Sequence, residues 1–315
     1  MRINLRIKLR GAEKMVLEHL FPEDWLEYRT RYSFIMGAIY SVIGLIIASF
    51  LFPGDPALVA VAFTSMLLLP ELYKIFSIEE RQEGNEKNFS VKKLWLDDIN
   101  IVKTYIFLFL GILMVYSIAT LLLPNVQNND LFREQLEIRF GQGFSGQAVS
   151  VQEVIGTLFP LELFWGLLSN NFLVLLACFI LALLSGDGAI FLITWNASVW
   201  GTIFGITAKL AGAFSGQSIF ALFGIIMLVV FPHMMLEAIS YFLAAIAGSI
   251  ISKDVILEEF ASDRFWSVFS FNLYLLLAGL VFLVLGAGVE AFVLEHVDVY
   301  REIIEMSVNA ASQIL

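Results

Sequence analysis

Apolar residues run in long unbroken blocks along this chain, with charge confined to the stretches between them. The blocks lie at about 34–52, 57–76, 101–123, 170–184, 189–208, 218–252 and 267–290. A block of roughly 20 apolar residues is long enough to cross a bilayer as a helix. A lipid-embedded backbone must satisfy its own hydrogen bonds, so helices are the expected element. The expected fold is therefore all-α: a polytopic helical membrane protein of about seven transmembrane helices, with interfacial amphipathic helices between and around them.

Local signals set the boundaries. Pro53-Gly54-Asp55-Pro56 is a tight turn, so the first two spans form a hairpin, and Ser185-Gly186-Asp187-Gly188 joins the fourth and fifth. Residues 1–33 are basic and amphipathic. Phe21-Pro-Glu-Asp-Trp25 reads as a helix restart within them, with Pro22 near the first helical position. Pro70-Glu71 closes the second span, and Glu71 is expected to reach the interface. Residues 125–147 are polar and glycine-rich and read as an external loop. From 148 to 168, Val151, Ile155, Leu158 and Trp165 recur at helical spacing, which suits an amphipathic helix on the outer surface. The tail 291–315 is amphipathic and mostly acidic. Two segments result: 1–100, with the interfacial helix, hairpin and cytoplasmic linker, and 101–315, the remaining membrane domain.

The block 218–252 is too long for one straight crossing, at about 50 Å against a core near 30 Å. It is either one long kinked helix or a re-entrant segment followed by a span. His233 and Glu237 are its only acidic or basic side chains, four residues apart and so on one helical face. Pro232 beside them is expected to break the helix. An ionisable pair within a hydrophobic span is costly and marks a candidate site. Histidine and glutamate satisfying each other, or joining two helices, is the competing structural reading.

Composition narrows the function classes. The chain has 315 residues, 59% hydrophobic and 15% charged, where soluble domains are nearer one-quarter charged. A net charge of −10 gives no footing for nucleic-acid binding. The single cysteine, Cys178, excludes an internal disulfide. The first ten residues lack the apolar core of a signal peptide. Of nineteen Lys and Arg, an inside N-terminus with seven crossings places fifteen on the inner side and four outside: Arg133, Arg139, Lys209 and Arg301. That asymmetry predicts a multi-pass cell-membrane protein with its N-terminus cytoplasmic and its C-terminus outside.

Gly201-x-x-x-Gly205 in the fifth span permits close approach of another helix, expected to be the one carrying His233. The loop glycines at 141–146 follow no strand and do not form a phosphate cradle. No HExxH motif occurs, and no third ligand joins His233 and Glu237, so no metal, cofactor or catalytic residue is expected.

Three pieces of residues 170–252 together resemble the stage II sporulation protein M family of multi-span membrane proteins. They are Asn171-Phe-Leu-Val-Leu-Leu-Ala177 leading to Ser185-Gly-Asp-Gly188; Asn196 followed by Gly201; and Pro232-His-Met-Met-Leu-Glu237 continuing to Ala244-Ala-Ile-Ala-Gly248. The family pattern has an Asn opening one span, Asn-Gly in the next, and His-Gly-x-x-Glu before a small-residue run ending in Gly. Here Ala197 and Met234 stand where the family favours Gly, as in a distant member. The resemblance is strong over this quarter of the chain, extends in outline over 101–290, and leaves the hairpin 34–76 outside.

The resemblance places Asn171, Asn196, His233 and Glu237 in one intramembrane polar cluster, with Gly248 joining Gly201 and Gly205 as packing positions. It implies a membrane component without chemistry of its own. In spore-formers such a component sits in a complex with cell-wall hydrolases during engulfment, and the family also occurs where no spores are made. The expected function is a non-enzymatic membrane scaffold of an envelope or membrane-remodelling complex. Its expected partners are the lipid bilayer and other membrane or envelope proteins, and homo-oligomers are compatible with it. The alternatives are a transporter or channel-like carrier using the same cluster for protons or substrate, and, with less support, an intramembrane hydrolase.

Overall fold

The computed structural model describes residues 31–84, 91–140, 160–257 and 263–314. Among them every regular element is an α-helix. In chain order these are α1 (Tyr32–Leu51), α2 (Pro56–Gly84), α3 (Val91–Leu122), α4 (Asn125–Leu131) and α5 (Arg133–Phe140), then α6 (Leu161–Ser185), α7 (Ala189–Ser215), α8 (Ile219–Leu257), α9 (Asp263–His296) and α10 (Asp298–Ile314). Seven of them (α1, α2, α3, α6, α7, α8 and α9) carry stretches long and apolar enough to cross a membrane. The expected interfacial helix within 1–33 lies outside the described residues.

The bundle is built around α7 and α8. α7 packs against α3 on one side and α8 and α10 on others, and α8 is flanked by α6 and α9. Large apolar side chains such as Ile46, Leu228, Val281 and Leu285 are exposed around the outside. In water a surface of that kind is a liability, but against acyl chains it is the expected face of a spanning helix. Serine and threonine within the spans mostly turn back to their own backbone, as in Ser117 Oγ donating to Leu113 O at 2.8 Å and Thr64 Oγ1 to Ala60 O at 2.8 Å. Such bonds keep hydroxyls satisfied where water is absent. The α6–α7 turn holds Gly186 at φ 72°, a conformation that suits glycine. Ser249 Oγ of α8 donates to Gly186 O at 2.5 Å and fastens that end of the bundle.

Four expectations change. Pro232 does not break its helix: the block 218–252 takes the first of its two expected forms, one continuous helix with Pro232 inside it, and no re-entrant segment forms. The proline removes one backbone donor, which frees the Leu228 carbonyl. A full break would leave several unpaired groups in an apolar setting, at much greater cost. At 39 residues α8 is about 58 Å long and extends beyond a bilayer core. Second, residues 125–140 are not loop: they form α4 and α5. Third, Leu161 and Trp165 belong to the same helix as the fourth span rather than to a separate surface helix. The rest of that expected helix, and the glycine-rich 141–147, lie outside the described residues.

Fourth, Glu71 does not reach an interface. It is buried beside Tyr40, whose hydroxyl lies 3.5 Å from Glu71 Oε1.

Helices α4 and α5 cover the end of the bundle where α3 stops. The last carbonyls of a helix lack internal partners. Asn128 Nδ2 donates to Thr120 O at 2.8 Å, and Lys209 Nζ reaches Thr120 O and Leu123 O from α7. Phe132 packs on Tyr116, with ring centroids 5.7 Å apart. Gln135 Nε2 donates to Ser198 Oγ of α7 at 3.3 Å.

Candidate intramembrane polar site

Helix α8 carries the buried ionisable side chains His233 and Glu237. Its small-residue run lets neighbours approach: a β-carbon on Gly248 would stand 2.5 Å from Phe179 O and 2.8 Å from the Ala182 side chain of α6. From that contact Glu237 lies eleven residues back along α8, and Asn171 eleven back along α6. The two helices are two crossings apart and run in the same direction, so Glu237 and Asn171 fall at about the same height. The Phe109 ring touches both Trp200 and Phe242, which ties α3, α7 and α8 together nearby.

Glu237 is 2% exposed. Its partner comes from α9: the Glu237 carboxyl is hydrogen-bonded to the carboxyl of Glu290. Gly286, one turn before Glu290, makes room for this contact. A β-carbon there would stand 2.9 Å from Glu237 Cγ and 3.3 Å from its backbone nitrogen. Ser240 Oγ donates to Glu237 O at 2.6 Å, and Tyr241 stands one turn further on, buried beside both acids and Cys178. Oε1 of Glu237 is buried without a hydrogen-bond partner.

The four residues expected to cluster are treated differently. His233 is 6% exposed, on the Glu237 face of α8, but its Nδ1 is buried and unpartnered, so the two do not satisfy each other. Asn171 is buried at the height of Glu237, with its Oδ1 accepting from Asn170 Nδ2 at 3.3 Å. Asn196 donates to Leu192 O of its own helix at 2.8 Å. No hydrogen bond joins Asn171 or Asn196 to His233 or Glu237 among the described residues.

Sequence reasoning sought the partner of Glu237 in His233 and Asn196 and missed Glu290. The available signal was Gly286-Ala-Gly288-Val-Glu290, an acid one turn beyond a glycine in the last turns of a span.

Gly201 and Gly205 do form a close helix contact, but with α3 rather than with the helix bearing His233. A β-carbon on Gly201 would stand 2.6 Å from Leu113 O, and one on Gly205 2.9 Å from Thr120 Cβ. The physical reason is order in the bundle: α3 lies along this face of α7, and α8 occupies another.

No curated protein and no solved structure matches the chain. The profile of the family described as stage II sporulation protein M matches residues 33–293. The match takes in the α1–α2 hairpin, which the motifs alone had left outside. That inclusion agrees with the packing of α1 on α3 and of α2 on α7. With that match over most of its length and seven helices able to span a membrane, the chain belongs to the stage II sporulation protein M family.

Proposed function

We propose that this protein is a non-enzymatic membrane scaffold of an envelope or membrane-remodelling complex, embedded in the cell membrane with its N-terminus cytoplasmic. The observation that carries the reading is the way the spans lock together. Glycines on α1, α7 and α8 bring backbone against backbone at Leu108 O, Leu113 O and Phe179 O. Contacts this close favour a stiff body that holds partners at fixed positions. Partners would meet it at α4, α5 and α10, which sit at one end of the bundle. The test is co-purification from native membranes after crosslinking. A stoichiometric envelope partner, lost on substitutions in α10 that leave the bundle folded, is the expected result. Recovery of the chain without such a partner would overturn the reading.

A carrier is the second reading, favoured by the hydrogen-bonded acids Glu237 and Glu290 in the interior. Proteoliposomes containing the chain alone would then show substrate-dependent proton flux, abolished by Glu237→Gln.

A further inference from the structure

Three facts about the α8–α9 contact have one physical explanation. First, the Glu237 and Glu290 carboxyls are hydrogen-bonded to each other. A carboxylate only accepts hydrogen bonds, so one member of such a pair must bring the proton. Second, neither acid meets Lys, Arg or His in an ion pair among the described residues. The groups facing Glu237 electrostatically are Glu290 from α9 and Tyr241 from α8, while Tyr241 in turn faces Cys178 of α6. Tyr105 of α3 also faces Cys178. The one basic side chain of α7, Lys209, is turned to the α3 carbonyls. All the facing groups are acids or neutral donors, so no cation offsets a buried charge. Third, His233 Nδ1 is buried and unpartnered one turn away on the same face of α8, so the histidine does not neutralise Glu237.

We infer that Glu237 and Glu290 form a proton-binding site between α8 and α9, in which Glu237 carries the proton at neutral pH and donates it to Glu290. The assignment within the pair follows burial. Glu237 is enclosed, while Glu290 is partly exposed and is the member that can hold charge. An isolated ionised carboxylate in an apolar interior is too costly to persist, and the proton removes that cost. Gly286 is what lets the two acids meet, since any side chain there would press on Glu237. The inference holds whether the protein is a scaffold or a carrier.

Infrared spectroscopy of the purified, lipid-reconstituted protein at neutral pH tests it without an activity assay. The wild type should show the carbonyl stretch of a protonated carboxylic acid. The wild-type-minus-Glu237→Gln difference spectrum should isolate that band, since Glu71 and other acids cancel. In Glu290→Gln the band should remain but shift, because the acceptor changes from a carboxylate to an amide carbonyl. No protonated-acid band in the wild type, or its survival in Glu237→Gln, would overturn the inference. Should Glu237→Gln fail to fold, the Glu290→Gln comparison decides alone: an unshifted band, or a lost one, sinks the proposal.

Discussion

Gly286 of α9 lies directly against Glu237 of α8, close enough that a β-carbon would come within 2.9 Å of Glu237 Cγ. The contact places the one acid of α8's apolar block beside the one acid at the end of α9's. Gly286→Ala should push the helices apart and lower stability by about 1–3 kcal/mol. Thermal unfolding in detergent measures it. A variant as stable as the wild type would mean that α9 has slack here.

The α3–α7 contact makes a sharper prediction, because the opposing atoms are backbone. Gly201→Leu should destabilise by at least about 1–3 kcal/mol, since Leu113 O cannot rotate away. Gly224→Leu is the control: nothing stands within 4 Å of a β-carbon at Gly224, so it should be tolerated. Leucine is the better helix former at both positions, so equal losses from the two variants would show that side-chain bulk in general, rather than this contact, sets the effect.

Lys209 and Asn128 share two acceptors, Thr120 O and Leu123 O. Lys209→Met and Asn128→Ala should each cost about 1–3 kcal/mol by leaving helix-end carbonyls short of donors. Because the acceptors are common, a double-mutant cycle should be non-additive. Strict additivity would separate the two caps.

Glu134 lies outside the spans. Burial, and then the neighbouring Asp55, push its carboxyl above the ordinary carboxylate range, against a hydrogen bond from its own backbone and a smaller pull from Arg133. An acid whose value is raised by folding favours the fold while protonated. This contribution is therefore full below the usual carboxylate range and is lost as pH rises through the raised value. Melting temperature should fall over that window, and Glu134→Gln should flatten the dependence. A slope unchanged in the variant would assign it to another group.

The charge asymmetry predicts the orientation and gives it a direct test. Phe140→Cys and Glu305→Cys, in a background lacking the buried Cys178, should both react with an impermeant external thiol reagent in intact cells. Protection of either site would reverse or break the assigned topology.

The seven spans, the two tight turns, the amphipathic tail and the family were legible in the residues themselves. Each rests on a local property. A lipid-embedded segment satisfies its backbone within itself, so twenty apolar residues announce a helix whatever lies beside it. The conspicuous positions were legible for the same reason: His233 and Glu237 stand out against their own block, and Gly201 and Gly205 form a pattern on one helix face. What α7's glycines touch was not legible, because periodicity fixes a face but not the neighbour that covers it. Nor was Glu290, which lies over fifty residues from Glu237 and meets it only once α8 and α9 lie side by side at Gly286. Pro232 shows the same division. Its ring chemistry argues for a break, but the apolar surroundings of the assembled bundle make the unbroken helix the better solution. The residues thus determined the elements and nominated the chemistry. Only the tertiary structure decided the partners, because contacts between spans depend on how helices are ordered around one another, which no local pattern encodes.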